Sequence, residues 1–469
     1  MKKFELVFIP IPGSGHLTSM VEMANTLLAR DHRLAVTIIC NKLPFDPKAN
    51  EYIQSLSTQP RNTNNRNNTS IQFIVLPELH AIQNYGNHFF LEVVLERYKP
   101  HVKQALISFL TTSTNHLVGF VLDMFYSTMV EVANELEVPS YVYCTSGAGF
   151  LSFSLYLEQL YAQKNSRNEV IQQLKDLDDL SVSSLVNQVP SKVIPNILFI
   201  NNNAVWFHEQ VKRTRSNVKG ILMNTLEELE SHVICSLSTD SSLQLPPLGA
   251  FEKDQVEEIA QVLERSRVPF VWSLRRSSLG SVLQSSIDYT NFEDILPKEF
   301  LDRTENVGRV INWAPQVEIC GFVSHCGWNS MLESLWHGVP MATWPMYAEQ
   351  QFNAFELVVE LGLAMTITID YQNEYKELDK PRILSTEEIE KGIRKLMDEN
   401  NIEIRKKVKT KSEECRKSVI EGGSSFISLG AGSEDDDDEG MQNGWKEMGT
   451  LRIGGVVGEG ERQRGVGEE

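Results

Sequence analysis

The alternation of short apolar runs with helix-period segments is the feature that most constrains the fold of this chain. The first run, FELVFIPI at 4–11, is followed by apolar residues at the spacing i, i+3, i+4, i+7 and i+11, which is typical of one helical face. Repeated strand–helix units predict parallel sheets that are covered by helices on both faces. The residues of that first helical face are Leu17, Met20, Val21, Ala24 and Leu28.

The alternation occurs in two stretches, so the sequence predicts two α/β domains of Rossmann type with a cleft between them. A polar, proline-containing segment at 236–249 separates the stretches, and we expect domains at 1–243 and 244–430. Ser385 and Glu388 form a capping box, which predicts a helix from 386 onward. The other strand-like runs are 34–40, 73–76, 117–122, 140–144, 220–224, 268–274, 309–312, 321–325 and 339–344.

The C-terminal segment 431–469 differs in composition from the rest of the chain. It contains 11 acidic residues, 4 basic residues and 10 of the 28 glycines. A segment of this kind buries too little apolar surface to offset the entropy lost on ordering. We therefore predict that it is a disordered tail without a catalytic role.

Charge and cysteine content exclude several classes of protein. The formal net charge is −18, and nucleic-acid binding depends on clustered Lys and Arg, so we expect no nucleic-acid partner. The sequence has no apolar run long enough to span a bilayer, so we expect no membrane partner. The six cysteines contain no C-x-x-C pair, which favours reduced thiols in a cytoplasmic protein over a disulfide framework or a zinc site.

Four polar residues follow predicted strands, where ligands bind in open parallel sheets: His16, Asp123, Thr145 and His325. His16 comes after the turn Gly13-Ser14-Gly15, in which glycine lets a backbone or ligand approach closely. This turn is not the dinucleotide motif G-x-G-x-x-G, because the third glycine is absent. Each of these residues, taken alone, could equally serve as a helix cap.

The window 313–344 is unusual because it contains four of the seven tryptophans. Its run GFVSHCGWNSMLESLWHG predicts a buried strand, a Cys-Gly turn and a helix. Free N–H groups at a helix start, close to a histidine and to hydroxyl or amide donors, can bind a diphosphate. Aromatic residues nearby could stack on a planar base. The alternative is that the tryptophans are packing residues, which is the interpretation we prefer for Trp336.

The segment WAPQVEICGFVSHCGWNSMLESLWHGVPMATWPMYAEQQFNAF resembles the donor-binding signature of plant UDP-sugar-dependent glycosyltransferases. The resemblance extends from residue 4 to about 430 and includes the PGSGH turn, VLDMFYSTMVEVANELEVPSY, NTLEELE and ELGLAM. It implies the two-domain GT-B fold. It also implies metal-free, inverting transfer of a sugar from a UDP-sugar to a small acceptor, by a monomeric cytoplasmic enzyme without a cofactor.

The same resemblance implies a role for each matching residue. His16 would be the general base that deprotonates the acceptor hydroxyl, and Asp123 would orient its imidazole. The closing Gln350 is usual in glucosyl-transferring relatives and favours UDP-glucose. The residues that would bind the donor are Trp313 and Gln316 at the nucleoside, Glu333 at the ribose, His325, Trp328, Asn329 and Ser330 around the diphosphate, and Trp344, Glu349, Gln350 and Thr145 at the sugar.

The chain departs from the family pattern in three places. About six residues, nearly two helical turns, are absent between Ile319 and Gly321. The chain also passes from Pro247 directly into Leu248-Gly249-Ala250-Phe251, so that the first strand of the second domain and its phosphate-binding serine are expected to be missing. Finally, the acidic tail replaces the closing helix of relatives.

Three functional hypotheses follow. The first is a working UDP-sugar transferase that acts on a phenolic or flavonoid-like hydroxyl. The second is a catalytically impaired or inactive relative, the product of an aberrant or decayed gene, that retains acceptor or partner binding. The third, a nicotinamide-dependent oxidoreductase, is disfavoured because G-x-G-x-x-G is absent.

Overall fold

The computed structural model describes most of the chain between residues 3 and 430. The predicted domain boundary at 243/244, the predicted tail at 431–469, Trp313 and Gln316 lie outside the described residues. The described ranges are 3–42, 47–58, 71–79, 90–164, 167–176, 178–199, 201–237, 253–276, 287–311, 321–371, 382–398 and 401–430.

The N-terminal half is built on a six-stranded, fully parallel sheet in the order β3-β2-β1-β4-β5-β8. The strand order reverses between β1 and β4, which creates a crevice at their carboxyl ends. A short antiparallel pair, β6 with β7, lies outside this sheet. The strands are β1 (Phe4–Ile9), β2 (Leu34–Cys40), β3 (Gln72–Val75), β4 (His116–Asp123), β5 (Ser140–Cys144), β6 (Asp179–Leu180), β7 (Val189–Pro190) and β8 (Gly220–Met223).

Helices cover both faces of this sheet, as the alternating pattern predicts. Phe4, Leu6 and Phe8 of β1 pack into an apolar cluster with the first helix, whereas Val7 and Ile9 pack into a second cluster on the opposite face. Alternate residues of a strand point to opposite faces, so a sheet buried on both faces requires a continuously apolar strand. The β1 run meets that requirement.

The predicted capping box is present, with Ser385 as the N-cap and Glu388 closing it. No helix in the described ranges is long and apolar enough to cross a membrane. The helices are α1 (Ser14–Arg30), α2 (Pro47–Thr58), α3 (Phe90–Thr112), α4 (Val130–Glu135), α5 (Ala148–Gln163), α6 (Arg167–Asp176), α7 (Asn201–Asn217), α8 (Glu227–Leu237), α9 (Lys253–Ser266), α10 (Phe300–Thr304), α11 (Trp328–His337), α12 (Gln350–Phe355), α13 (Thr386–Met397), α14 (Ile402–Ser418) and α15 (Ser424–Gly430).

The C-terminal half contains two separate parallel sheets where one continuous sheet is expected. Among the described residues, β9 pairs with β12 in one sheet, and β14 pairs with β13 on one side and β15 on the other in the second sheet. Val271 of β9 and Val323 of β13 are 54% and 39% exposed, which is unusual inside a parallel sheet. The strands are β9 (Phe270–Ser273), β10 (Arg275–Arg276), β11 (Ile287–Asp288), β12 (Gly308–Ile311), β13 (Phe322–Ser324), β14 (Met341–Thr343) and β15 (Ala364–Thr366).

This division agrees with the prediction that a central strand is missing. Loss of a central strand leaves the backbone groups on both of its former neighbours without their ladder partners. The sheet then separates at that point, and apolar side chains of the new edge strands become exposed. The missing strand stays a prediction, and the pairing of the described strands is consistent with it.

Aromatic packing joins the two halves. Phe352 of α12 stacks on Phe153 of α5 at a centroid distance of 5.0 Å and contacts Phe150 edge-on at 5.5 Å. At the end of the described residues, α15 returns to the N-terminal half, where Cζ of Arg30 lies 4.1 Å from the centroid of the Phe426 ring. Both contacts anchor the second half to the first.

A pair of buried carboxyl groups also lies at this junction. Glu230 of α8 accepts hydrogen bonds from the Gly149 backbone N–H (2.6 Å) and from the Thr225 hydroxyl. Glu356, in a short π-helix at Glu356–Glu360, lies against the same first turn of α5, where a Cβ at Gly149 would come within 2.3 Å of its oxygen. Burial, and then the proximity of Glu230, raise the pKa of Glu356 well above its ordinary value. Because Glu230 is surrounded by donors, we assign the proton to Glu356.

We predict that this pair makes the protein less stable as the pH rises. A carboxyl group whose pKa is higher in the folded than in the unfolded state contributes its full stabilisation at pH values below the unfolded-state pKa. That stabilisation is lost as the pH rises through the folded-state pKa. Each unit by which the pKa is raised corresponds to about 1.4 kcal/mol of unfolding free energy. The E356Q variant keeps a neutral side chain, so its melting temperature should exceed that of the wild type by an amount that grows from about pH 5 to about pH 8.

The exposed Glu403 on α14 provides the control, since E403Q should follow the wild-type curve. Parallel pH curves for the wild type and E356Q would contradict the assigned proton.

Candidate active site

The centre of the candidate site is a histidine–carboxylate pair at the crevice of the N-terminal sheet. His16 lies in the first turn of α1, just after β1, and Asp123 is the last residue of the neighbouring strand β4. The two side chains meet with His16 Nδ1 2.9 Å from Asp123 Oδ2, although 107 residues separate them in the sequence. Both are buried, with exposed fractions of 6% and 0%. The contact expected from the two strand ends is therefore present.

The surroundings fix the orientation of both partners. The second carboxylate oxygen of Asp123 accepts the Phe125 backbone N–H at 3.0 Å. The Phe125 ring lies 5.4 Å from the imidazole and stacks on Trp206 at 5.5 Å. The Thr145 hydroxyl is 3.3 Å from the same imidazole nitrogen, Nδ1. Because Asp123 and Thr145 both contact Nδ1, Nε2 is the nitrogen left to exchange a proton with a ligand.

The second component of the site is the N-terminus of α11, which follows β13 through a tight turn. Cys326 in this turn has a φ of 66°, in the left-handed region, and Gly327 is the N-cap of the helix. The N–H groups of the first helical turn have no acceptor within the helix and can bind an anion. Burial lowers the pKa of His325, at the end of β13, to about 4, so its imidazole is neutral near pH 7.

Gly327 is required for this arrangement. A Cβ at that position would lie 2.6 Å from Nε2 of His325, which is closer than real Cβ contacts allow. Glycine therefore permits the imidazole to lie against the helix start. The Cys-Gly turn identified in the sequence has this steric basis.

The first two residues of α11 connect the two halves of the molecule. Trp328 donates its indole N–H to the Asn224 carbonyl at 2.6 Å, and its ring covers Gly147, where a Cβ would meet ring carbon at 2.4 Å. Asn329 donates to the Gly15 carbonyl at 3.2 Å, one residue before His16. The start of α11, whose N–H groups can bind an anion, and the turn before His16 are consequently held side by side.

Glu349 and Gln350 lie at the start of α12 and are both buried. Burial raises the pKa of Glu349 to about 7, and the Glu349 oxygen Oε2 has no hydrogen-bond partner among the described residues. The amide oxygen of Gln350 accepts the backbone N–H groups of Met346 and Tyr347 at 3.0 and 3.3 Å. Gln350 therefore directs its NH2 group away from that turn, where it can donate to a ligand.

The remaining predicted residues are placed differently. Trp344 is 3% exposed and packs edge-on against Tyr371 at 6.0 Å in an apolar cluster of the C-terminal half, which is the packing arrangement considered above for the tryptophans. Glu333 is exposed on α11, and Ser330 is partly buried near its start. The binding roles of these three residues stay predictions, as do those of Trp313 and Gln316.

Three residues at the site were not identified from the sequence: Phe125, Trp206 and Asn224. Asn224 directly follows β8, so the strand-end rule that selected His16 and Asp123 applies to it equally. Phe125 follows Asp123 by two residues, but nothing in the sequence relates it to Trp206 on α7. Only the tertiary fold brings these two rings together.

Comparison with known proteins identifies relatives for nearly the whole chain. Residues 247–374 match the family model described as UDP-glucoronosyl and UDP-glucosyl transferase. A Fragaria ananassa protein named UDP-glucose flavonoid 3-O-glucosyltransferase 6 is 41% identical over 485 residues, covering 92% of this chain and 98% of the relative. That alignment is longer than this chain of 469 residues, so the relative contains residues that this chain lacks.

Solved structures show the same architecture. A transferase from Siraitia grosvenorii in complex with UDP is 43% identical, covers 91% of this chain and 98% of its own, and superposes with a TM-score of 0.74. A Medicago truncatula protein complexed with UDP-glucose is 33% identical, covers 91% and 97% of the two chains, and gives a TM-score of 0.73. The GT-B fold predicted from the signature is confirmed by these neighbours.

We predict that the packing of Trp328 on Gly147 is a large part of the junction's stability. Gly147 has φ −72° and ψ 167°, which alanine adopts without strain, so G147A tests the steric contact alone. Because the indole cannot move without losing its bond to Asn224, we expect the free energy of unfolding to fall by about 1–3 kcal/mol. Urea unfolding monitored by tryptophan fluorescence measures the change.

The matched control is G15A. A Cβ at Gly15 would find its nearest neighbour, Asn329 Nδ2, at 3.7 Å, which is ordinary contact, so its stability should stay close to that of the wild type. If G147A and G15A were equally stable, the junction would not depend on this contact.

Proposed function

The chain belongs to the UDP-glucosyl transferase family as a UDP-glycosyltransferase, and from that premise we propose inverting transfer of glucose from UDP-glucose to a phenolic or flavonoid-like hydroxyl. The observation that carries the proposal is the 2.9 Å contact between His16 and Asp123 beside the N-terminus of α11. A base for the acceptor and an anion site for the leaving group are thereby adjacent. The flavonoid named for the Fragaria relative supports the acceptor class.

In the proposed mechanism His16 acts as the general base through Nε2. Its Nδ1–H is donated to Asp123, which selects the tautomer whose Nε2 lone pair is free. Nε2 takes the acceptor hydroxyl proton while the acceptor oxygen forms its bond to the anomeric carbon. The bond from that carbon to the diphosphate oxygen breaks, and UDP leaves with the electron pair. Asp123 stabilises the imidazolium that forms, held in place by its second bond to the Phe125 N–H.

The leaving diphosphate would be bound by neutral, directional donors. These are the first N–H groups of α11, the Asn329 amide, the Ser330 hydroxyl and the His325 imidazole, which its low pKa keeps uncharged near pH 7. On the sugar side, the Gln350 NH2 group and the Glu349 carboxyl group lie on the same buried helix start. They would bind sugar hydroxyl groups, and the lean to glucose comes from Gln350 as the closing residue of the signature.

A second candidate function is that of an impaired relative that retains acceptor binding. The observation that favours it is the division of the C-terminal sheet between β9 and β13, together with an alignment to the Fragaria protein that exceeds the length of this chain. The N-terminal half, with its six-stranded sheet and the His16–Asp123 pair, is continuous. The two candidates therefore differ in donor binding.

The role of His16 predicts a dependence on acceptor acidity. H16A should reduce transfer to weakly acidic alcohols by about 10²–10⁴-fold, the usual contribution of a general base. The loss should be smaller with acidic phenols, because they release their proton more readily. Initial rates with a series of acceptors of graded acidity measure this, with the exposed His101→Ala as the control. Equal losses across the series would exclude the general-base role.

The missing segments predict weak donor binding. Uracil and diphosphate are parts of one rigid ligand, so the residues that bind them must keep their separation. We expect the chain as it stands to bind UDP at least tenfold more weakly than a version in which both segments are restored, a difference of about 1.4 kcal/mol. Isothermal calorimetry measures both. Restoring only the segment before Gly321 should recover little, because the divided sheet remains. Equally tight UDP binding before and after repair would favour a working enzyme.

A further inference from the structure

We propose that Asn224 is a positioning residue that orients the Asn329 amide toward the diphosphate of a nucleoside-diphosphate donor. Asn224 follows β8 in the N-terminal half and is 2% exposed. Its Nδ2 donates to Asn329 Oδ1 at 2.9 Å and to the Thr145 carbonyl at 3.4 Å. Asn329 in turn donates through its own Nδ2 to the Gly15 carbonyl at 3.2 Å. The proposal rests on the proposed function, since it assigns a donor-binding role to Asn329.

The direction of this chain of amides is fixed at both ends. The Thr145 and Gly15 carbonyls can only accept hydrogen bonds, so each must face an NH2 group. The NH2 group of Asn224 must therefore point to the Thr145 carbonyl. Because the same NH2 group also contacts the Asn329 side chain, the Asn329 atom at that contact must be the amide oxygen. Flipping either amide would place two acceptors face to face.

Asn224 has this orientation although it leaves its own side-chain oxygen without a hydrogen bond in the described part of the chain. The Asn224 Oδ1 is buried and accepts no hydrogen bond from the described residues. Buried polar atoms are normally paired, and an unpaired one requires an explanation. Here the explanation is the orientation of the Asn329 amide. If Asn224 were flipped, its oxygen would face Asn329 and would favour the opposite orientation of that amide.

The backbone of Asn224 reinforces the same contact. Its carbonyl accepts the Trp328 indole N–H at 2.6 Å, and its N–H donates to the Cys144 carbonyl at 2.9 Å. One residue thereby holds the first two residues of α11 against the end of β5. The Asn329 NH2 group then has one hydrogen on the Gly15 carbonyl and its second hydrogen available for a phosphate oxygen.

The test compares the affinities of N224D and N224A for UDP and for uridine, which lacks the diphosphate. A carboxylate at position 224 cannot donate to Asn329 or Thr145, so Asn329 loses its defined orientation. We expect the UDP dissociation constant to rise at least tenfold in N224D and about threefold in N224A. The uridine constant should stay within about twofold in both variants. Equal losses for UDP and uridine, or no loss for either, would overturn the proposal.

The matched control is N41D, which also introduces a buried carboxylate. Asn41 is 1% exposed and donates to the Tyr126 hydroxyl at 2.6 Å, so it is as buried as Asn224 but has no bond to Asn329. N41D should keep the wild-type ratio of UDP to uridine affinity. If N224D does not fold, the N224A comparison alone decides.

A second arm does not depend on UDP binding. If the wild-type chain binds no UDP, the proposed function fails, but the link between Asn224 and Asn329 can still be measured by urea unfolding of N224A, N329A and the double variant. We expect the double variant to lose less unfolding free energy than the sum of the losses in N224A and N329A, because each single substitution removes the same hydrogen bond. Strict additivity would refute the positioning contact.

Discussion

The close packing of Trp328 on Gly147 is the contact on which the site depends, because it sets the distance between the two halves of the molecule. The indole occupies the space that a Cβ would fill and donates its N–H to the Asn224 carbonyl, so both its position and its rotation are defined. The helix start of α11 and the turn before His16 then become neighbours, joined by Asn329 and Gly15. A bisubstrate site between two sheets needs such a rigid reference point.

The two halves differ in how firmly their strands hold the site residues in place. His16 lies in the first turn of α1, just after β1, and Asp123 ends the neighbouring strand β4 of a continuous six-stranded sheet. The pairing of β1 with β4 therefore brings the two side chains to their 2.9 Å contact. The turn proposed to bind the diphosphate follows β13, the outer strand of a three-stranded sheet, and β13 exposes Val323. A short edge strand is held on one side only, so its position is less well determined. The proposed base, His16, is therefore positioned independently of the segments predicted to be missing, whereas the turn proposed to bind the donor is not.

Several strands of the fold and the central pair of the candidate site could be predicted from the sequence. Strands 34–40 and 140–144 have the predicted bounds because continuous apolar runs ended by polar residues leave little choice. The contact between His16 and Asp123 followed from the shared sheet edge. The Phe125–Trp206 stack and the Glu230–Glu356 pair could not be predicted, because each depends on the packing of helices from distant parts of the chain. Asn224 could have been found by the same strand-end argument.

The electrostatics of the site explain why geometry matters so much here. The groups assigned to the diphosphate are neutral: an imidazole whose pKa burial lowers to about 4, an amide, a hydroxyl and helix N–H groups. Neutral donors act through short, directional bonds that weaken steeply with misalignment, whereas the attraction of a full positive charge declines more gradually with distance. A site of this kind stabilises a leaving group only if its donors are already in place. Small displacements of β13 or of the Asn329 amide therefore reduce catalysis more than they would in a site built on Lys or Arg.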